Sequence, residues 1–73
     1  MSRKPLVKVN ADQYNTYRDS IKNHPDFFEA HDVGITHGIG CMYVGDTLVA
    51  EWDWLFNSVR QRVWEYRIPA ESL

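Results

Sequence analysis

The stretch CMYVGDTLVAEWDW, residues 41–54, carries the strongest structural signal in this chain. Gly45 and Asp46 lie between two runs rich in β-branched and aromatic residues, and a two-residue Gly-X loop is typical of a type II′ hairpin turn. After the turn, apolar and polar residues alternate, which is the period of a strand with one buried face. The alternation predicts one face made of Leu48, Ala50, Trp52, Trp54 and Phe56, and an opposite face made of Glu51, Asp53 and Asn57.

The same alternation returns near the C-terminus. There Trp64, Tyr66 and Ile68 alternate with Glu65 and Arg67. The residues at 57 and 58, Asn and Ser, suit a turn between the two runs, because both side chains form local hydrogen bonds with the backbone. We therefore predict a three-stranded antiparallel meander over residues 40–44, 47–56 and 62–68.

A helical interpretation competes with the last two strands. Apolar residues also recur at helical spacing, at Trp52, Leu55, Phe56, Val59, Val63 and Tyr66. Short apolar segments often fit both periods. The density of Trp, Tyr, Val and Thr favours strands, so we prefer the meander and keep a second helix at about 50–66 as the alternative.

The N-terminal third predicts a helix over residues 11–23. Asn10 is a good N-cap, and Gln13, three residues on, completes a capping box. Tyr14, Tyr17 and Ile21 then share one face. The residue before Pro25 is disfavoured from helical geometry, so the helix should end near residue 23. Before the helix, PLVKVN at 5–10 fits a short additional strand.

The segment PDFFEAHDVGITHGIG, residues 25–40, predicts irregular structure. We expect Phe27 and Phe28 to fill an edge of the core. Gly34, Gly38 and Gly40 are expected to be turn residues with positive φ. The whole pattern predicts an α+β fold, with one N-terminal helix packed on a small antiparallel sheet in a single domain over residues 1–73.

Cysteine usage and hydropathy bear on the compartment. Cys41 is the single cysteine, so an intrachain disulfide is excluded, and this fits a reducing compartment. No run approaches the roughly eighteen apolar residues that a membrane span needs, and the basic start has no apolar stretch behind it. We expect a soluble cytoplasmic protein that contacts no membrane and is monomeric when free.

Charged residues segregate along the chain, although the net charge is only −2, which argues against tight nonspecific nucleic-acid binding. Residues 1–22 hold five basic residues, including Arg3 and Lys4, and two acidic ones. Residues 23–59 hold six acidic residues and no Lys or Arg. An acidic middle between basic ends would steer the chain toward a charged partner surface, whereas the plainer interpretation is a solvated surface.

His24, His31, His37 and Cys41 are candidate metal ligands. Zinc sites usually use closely spaced ligand pairs, and only His37-x₃-Cys41 resembles one, so we expect no metal site. Asp32, His37 and Cys41 also have the residue types of a Cys–His–Asp nucleophile set, but a 73-residue domain has little room for a cleft and an oxyanion hole. We expect no catalytic residues and no cofactor.

The segment RQRVWEYR, residues 60–67, mixes three arginines with Trp64 and Tyr66. On a strand, Arg60 and Arg62 would share a face with both aromatic residues, which suits single-stranded nucleic acid. An ordinary edge strand, with charges that discourage aggregation, explains the same pattern. The first interpretation adds an auxiliary nucleic-acid contact within a larger complex.

These features favour an interaction module over an enzyme. Over its whole length, from MSRKPLVKVNADQYNTYRDSIKNH to VRQRVWEYRIPAESL, the chain resembles small transcription regulators encoded by phages of Xanthomonas. The resemblance implies binding to host RNA polymerase near the N-terminus of the β′ subunit, in the cytoplasm of the host cell. It also implies inhibition of sigma-dependent initiation and, together with the elongation factor NusA near the RNA exit channel, reduced termination. It identifies no contact residues.

The charge pattern adds a hypothesis about the contact surface. The acidic residues Asp46, Glu51 and Asp53 would face basic host protein. Arg60, Arg62 and Arg67, or the basic N-terminus, would face polymerase acids or nascent RNA. An alternative function is an acidic decoy that occupies the DNA channel of a restriction or CRISPR nuclease, although six acids over 37 residues make a sparse array. A small metal-binding domain is the third interpretation.

Overall fold

The computed structural model describes residues 5–73, as one helix on a five-stranded antiparallel sheet. The elements, in chain order, are β1 (Leu6–Val9), α1 (Ala11–Ile21), β2 (Phe27–Val33), β3 (His37–Val44), β4 (Thr47–Phe56), β5 (Arg62–Pro69) and a short 3₁₀ turn (Ala70–Ser72). The strand order across the sheet is β1-β5-β4-β3-β2. The predicted α+β class is confirmed, and so is the additional N-terminal strand. Arg3 and Lys4, two of the basic residues of the N-terminal segment that is predicted to face a partner, lie outside the described residues.

Helix α1 begins at the predicted capping box. The Asn10 side-chain oxygen accepts a hydrogen bond from the Gln13 N–H at 2.8 Å, and the Gln13 side chain accepts one from the Asn10 N–H at 3.0 Å. These bonds satisfy two of the backbone donors that every helix start leaves without a partner in the helix. The helix ends at Ile21, two residues before the predicted end, with Lys22 as the C-cap.

The meander is confirmed, and the alternative helix over 50–66 is wrong. Gly45 has φ 61° and occupies the first central position of the β3–β4 turn, where a type II′ turn needs a positive φ. The β4–β5 loop is fixed by Asn57, whose side-chain oxygen accepts hydrogen bonds from the Val59 and Gln61 N–H groups, both at 3.0 Å. Arg60 lies in this loop, with φ 61°, outside the predicted strand 62–68, and not on a strand face with Arg62 as the nucleic-acid interpretation requires.

Strand β2 corrects the prediction of irregular structure over residues 25–40. It pairs with β3 along its whole length, from Phe27 opposite Val44 to Val33 opposite Gly38. Because β2 is an edge strand, most of its side chains are exposed on both faces, so its sequence lacks a buried apolar period. Phe27 packs against the core, whereas Phe28 points to the other face and is exposed.

A β-bulge at Val49 moves Leu48 off its predicted face. Tyr43 lies opposite Leu48 and Met42 lies opposite Ala50, so Val49 is an extra residue on β4. Opposite residues in an antiparallel pair share a face, and Leu48 therefore lies with Tyr43 and not with Ala50. The prediction for Leu48 is wrong because an inserted residue shifts the alternation by one.

The core lies between α1 and one face of the sheet, which we call the helix face. Its buried members are Tyr14, Met42, Val49, Ala50 and Ile68. A ten-residue strand such as β4 spans about 33 Å, whereas the eleven residues of α1 span about 16 Å. The helix is therefore too short to cover the whole helix face, and its packing with Met42 and Val49 places it at the end near the Gly45 turn. The opposite face, which we call the open face, carries no helix.

Tyr14 gives a first prediction about stability. Its ring is 4% exposed and lies 5.1 Å from the Tyr66 ring, but within residues 5–73 its hydroxyl has no hydrogen-bond partner. Burial raises the pKa of this phenol above its ordinary value, so it stays neutral. A buried polar group without a partner costs stability.

We expect Tyr14→Phe to raise the free energy of unfolding by about 1 kcal/mol in urea denaturation, while the control Tyr43→Phe changes it little. A less stable Tyr14→Phe variant would show that the hydroxyl has a partner, such as a bound water.

Candidate interaction surfaces

The centre of the open face is an ion-pair network around Arg67. The guanidinium donates from Nε to Glu51 Oε1 at 2.8 Å, from Nη2 to Asp53 Oδ2 at 2.6 Å and from Nη1 to Glu65 Oε2 at 2.8 Å. The strand register explains the cluster, because Glu51 lies opposite Arg67 and Asp53 lies opposite Glu65. Lys8 on β1 adds a longer contact to Glu65 at 3.4 Å.

The network holds its charges in place. Partial burial alone would lower the pKa of Arg67, but hydrogen bonds and attraction from Asp53 and Glu51 outweigh it, and the pKa lies above its ordinary value. Each of the three guanidinium nitrogens donates to a different carboxylate, so the orientation of the group is fixed. The sequence predicts that Glu51 and Asp53 face a basic partner and that Arg67 faces an acidic one. In the structure, Arg67 pairs with both of these carboxylates.

The other three predicted partner-binding residues lie elsewhere. Asp46 is exposed in the β3–β4 turn, at one end of the sheet. Arg60 is in the β4–β5 loop at the opposite end, and Arg62 is on the helix face, opposite Phe56. The six residues therefore belong to at least three separate surfaces.

Exposed apolar side chains flank the network on the open face. Leu55 and Val63 lie directly opposite each other on β4 and β5 and are 60% and 48% exposed. Ile39 lies diagonally next to Leu55, on β3. At the other end of the face, the exposed Phe28 ring lies 6.2 Å from the ring of Tyr43. The sequence did not predict this surface, because Phe28 was expected to fill the core edge and Leu55, Val63 and Ile39 become neighbours only when β3, β4 and β5 pair.

The helix face continues beyond α1 as an aromatic surface made of Trp54, Phe56, Arg62 and Trp64, which we call the aromatic platform. The Trp54 ring centre lies 5.4 Å from that of Phe56 and 6.1 Å from that of Trp64. The Arg62 guanidinium carbon lies over Trp54, 4.7 Å from its ring centre. Trp54 is consequently 3% exposed without any helix above it, while Trp64 and Phe56 remain 43% and 40% exposed.

Gly38 and Gly40 of β3 pack directly against the indole rings of Trp54 and Trp52. A Cβ at Gly38 would lie 2.3 Å from Trp54 Nε1, and one at Gly40 would lie 2.2 Å from the indole of Trp52. Neither glycine has a positive φ, and both lie within β3, so the predicted turn role is wrong at Gly38 and Gly40. Gly34 lies in the β2–β3 turn, but without the predicted positive φ. The signal in the sequence is the matched spacing of Gly38-x-Gly40 and Trp52-x-Trp54, which has meaning only once β3 and β4 are known to pair.

The candidate metal and nucleophile residues do not form one site. His31 lies opposite Gly40 on the helix face, whereas His37, Cys41 and Asp32 project from the open face. His37 and Cys41 are four residues apart on one strand, which separates them by about 13 Å. Within residues 5–73, no group of three or more His, Cys, Asp or Glu side chains is close enough to hold a metal ion.

Two further results concern the chain as a whole. In the part of the chain that the structure describes, no helix has the length and apolar character needed to cross a membrane. Comparison of the chain with family models, with curated proteins and with solved structures gave no match.

Proposed function

We propose that this chain acts by binding a larger protein through its open face. The resemblance to phage transcription regulators supports host RNA polymerase as that protein, with contact near the N-terminus of the β′ subunit. Binding there would inhibit sigma-dependent initiation and, together with NusA, promote antitermination. This activity needs a surface and no chemistry of its own.

One observation carries the proposal, namely the combination of exposed apolar side chains and fixed charges on a single face of the sheet. Leu55, Val63 and Ile39 are well exposed beside the Arg67 network. Exposed apolar groups rimmed by polar ones are typical of protein-binding surfaces. Because the carboxylates are already held by Arg67, they lose little conformational freedom on binding.

The size of the face is sufficient for a specific complex. A standard interface buries about 800 Å² on each partner. The chain exposes 5177 Å² in total, so such an interface would use about a sixth of its surface. One face of a five-stranded sheet supplies an area of this order.

The decisive test uses purified bacterial RNA polymerase. We expect the double variant Leu55→Ala, Val63→Ala to bind the polymerase at least tenfold more weakly, a loss of about 1.4 kcal/mol, because both substitutions remove apolar surface that the complex would bury. Binding is measured by biolayer interferometry, and inhibition by transcription from a sigma-dependent promoter. Ile35→Ala is the matched control, because Ile35 is 92% exposed in the β2–β3 turn and belongs to none of the strands that form the open face.

Each outcome bears on a separate part of the proposal. If the native chain fails to bind polymerase, the choice of partner is wrong. If the double variant binds as well as the native chain, the open face is not the contact surface. Charge reversal of Glu51 and Asp53 is a poor substitute, because it also removes the partners of Arg67. The pairing of Glu51 and Asp53 with Arg67 also leaves fewer unpaired acidic residues for the alternative decoy function. A decoy would compete with DNA for binding to a nuclease.

A further inference from the structure

We propose that the aromatic platform binds single-stranded RNA, with bases stacked on Trp64 and Phe56, one phosphate held by Arg62 and a second held by Arg60 in the adjacent β4–β5 loop. The choice of RNA rests on the proposed function, because a chain bound to RNA polymerase lies near the emerging transcript. The contact itself is argued from the platform alone. It involves a different face from the one proposed to bind the polymerase, so both partners fit at the same time.

The platform presents aromatic rings that are exposed but rigid. Trp64 is 43% exposed, and its ring lies nearly parallel to that of Tyr66, with 6° between the planes and 6.1 Å between the centres. Phe56, 40% exposed, contacts Trp54 edge to face. A base that stacks on a ring already held by its neighbours gains stacking energy at little cost in side-chain entropy.

Arg62 supplies a positioned cation. Its guanidinium carbon lies over the Trp54 ring, 4.7 Å from the ring centre, and this cation–π contact holds the charge at the platform. Neither Arg62 nor Arg60 forms an ion pair with any carboxylate among residues 5–73, in contrast to Arg67 and Arg18. Both arginines are exposed, and both lie at the end of the sheet that α1 leaves uncovered.

The acidic net charge does not oppose this contact, because the acids of the sheet lie mainly on the other face. The open face holds Glu51, Asp53, Glu65 and Asp32. On the helix face the sheet carries one carboxylate, Glu29, and it pairs with Arg18 at 3.1 Å, away from the platform. The platform is therefore basic although the chain is acidic.

The dimensions limit the ligand to a short segment. Arg62 and Trp64 are two residues apart on one strand, which places them about 7 Å from each other. Sheets that bind single-stranded RNA through aromatic side chains typically stack two or three bases. We expect a site of this size, and hence a modest affinity that a second contact, such as the polymerase, would strengthen by proximity.

The test titrates the isolated full chain with a twelve-nucleotide single-stranded RNA of mixed sequence in 50 mM salt. Tryptophan fluorescence gives the affinity, and amide chemical shifts locate the contact. We expect quenching, and shifts centred on residues 54–56 and 62–64. Trp64→Leu should weaken binding about tenfold, within the range for the loss of one stacked base, whereas Phe28→Leu on the open face should leave it unchanged.

Salt provides a second, independent readout. Two phosphate contacts, at Arg62 and Arg60, predict a slope of about −1.4 in the logarithm of affinity against the logarithm of salt concentration, or about a sevenfold loss between 50 and 200 mM. Arg62→Gln should reduce this slope by about 0.7. The control Lys22→Gln, an exposed basic residue of the helix C-cap, should leave it unchanged.

The outcomes separate the two proposals, since no polymerase is present in this titration. Absence of RNA binding at millimolar concentration, or shifts confined to the open face, would overturn the RNA contact and leave the polymerase contact standing. A Trp64→Leu variant that is folded by its amide spectrum and binds RNA normally would also overturn it. Duplex RNA of the same length should bind at least tenfold more weakly, because its bases cannot stack on the platform. Tighter binding of single-stranded DNA than of RNA would overturn the choice of RNA.

Discussion

Gly38→Ala is expected to lower the free energy of unfolding by about 2–3 kcal/mol, as overpacking in a tightly packed site does. The added Cβ would lie 2.3 Å from Trp54 Nε1 and 2.9 Å from two further indole atoms. The indole cannot move away easily, because Phe56, Trp64 and Arg62 pack around it. Alanine also restricts the unfolded chain, but that gain is below about 1 kcal/mol, so the clash dominates.

Gly34→Ala is the matched control for this prediction. At Gly34 the added Cβ would meet its nearest neighbour at 3.5 Å, an ordinary van der Waals distance, and φ is not positive. We expect its stability to lie within about 0.5 kcal/mol of the native chain, as for substitutions without a named mechanism of destabilisation. We follow thermal unfolding by near-ultraviolet circular dichroism. The midpoint temperature of Gly38→Ala should lie roughly 10–20 °C below that of Gly34→Ala.

A second substitution identifies the cause. In a Trp54→Leu background the indole is absent, so Gly38→Ala should cost much less than it does in the native chain. The two changes are then strongly coupled in a double-mutant cycle. If the cost of Gly38→Ala is the same in both backgrounds, contact with Trp54 is not the reason that position 38 needs glycine.

Arg67→Ala is the second large expected effect, with a loss of about 2–3 kcal/mol of stability. Removal of one partner from a buried ion pair typically costs about 3–5 kcal/mol, because the remaining charge is left unpaired. The Arg67 side chain is 22% exposed, and Glu51, Asp53 and Glu65 are 15%, 31% and 41% exposed, so water moderates the cost. Three carboxylates would then repel one another on adjacent strands.

Urea denaturation of three variants tests this explanation. Arg67→Lys keeps the charge but lacks the planar fork, so its stability should lie between those of the native chain and Arg67→Ala. In the background Glu51→Gln, Asp53→Asn, only one ionised carboxylate remains beside position 67, and Arg67→Ala should cost less. An equal cost in both backgrounds would attribute the effect to the lost hydrocarbon stem of Arg67 and not to the ion pairs.

The accuracy of the sequence predictions follows the strength of local signals. The capping box of Asn10 and Gln13 and the turn at Gly45 are formed by residues close in sequence, and both appear as predicted. Strand β2 was missed because an edge strand leaves most of its side chains exposed on both faces. The face of Leu48 was wrong because one inserted residue at Val49 reverses the alternation that precedes it.

The candidate surfaces depend on contacts between strands. Glu51, Asp53 and Arg67 were predicted to face a partner, but their sequence positions gave no sign that Arg67 pairs with both carboxylates. Gly38 and Gly40 were interpreted as turn residues, since only the β3–β4 register shows a tryptophan above each of them. The aromatic platform likewise depends on the register of β4 and β5, and on the short reach of α1.

The linear order of residues in this chain was enough to establish one helix, a hairpin, a meander and their α+β class, because capping, turn geometry and side-chain alternation act over a few residues. Which face is charged and which is aromatic depends on strand register, on the bulge and on how much of the sheet α1 covers. These three features arise from contacts between residues far apart in sequence. A shift of one residue in register exchanges the two faces of a strand. The proposed partner-binding surfaces are therefore a property of how the strands pair, and not of any motif within one strand.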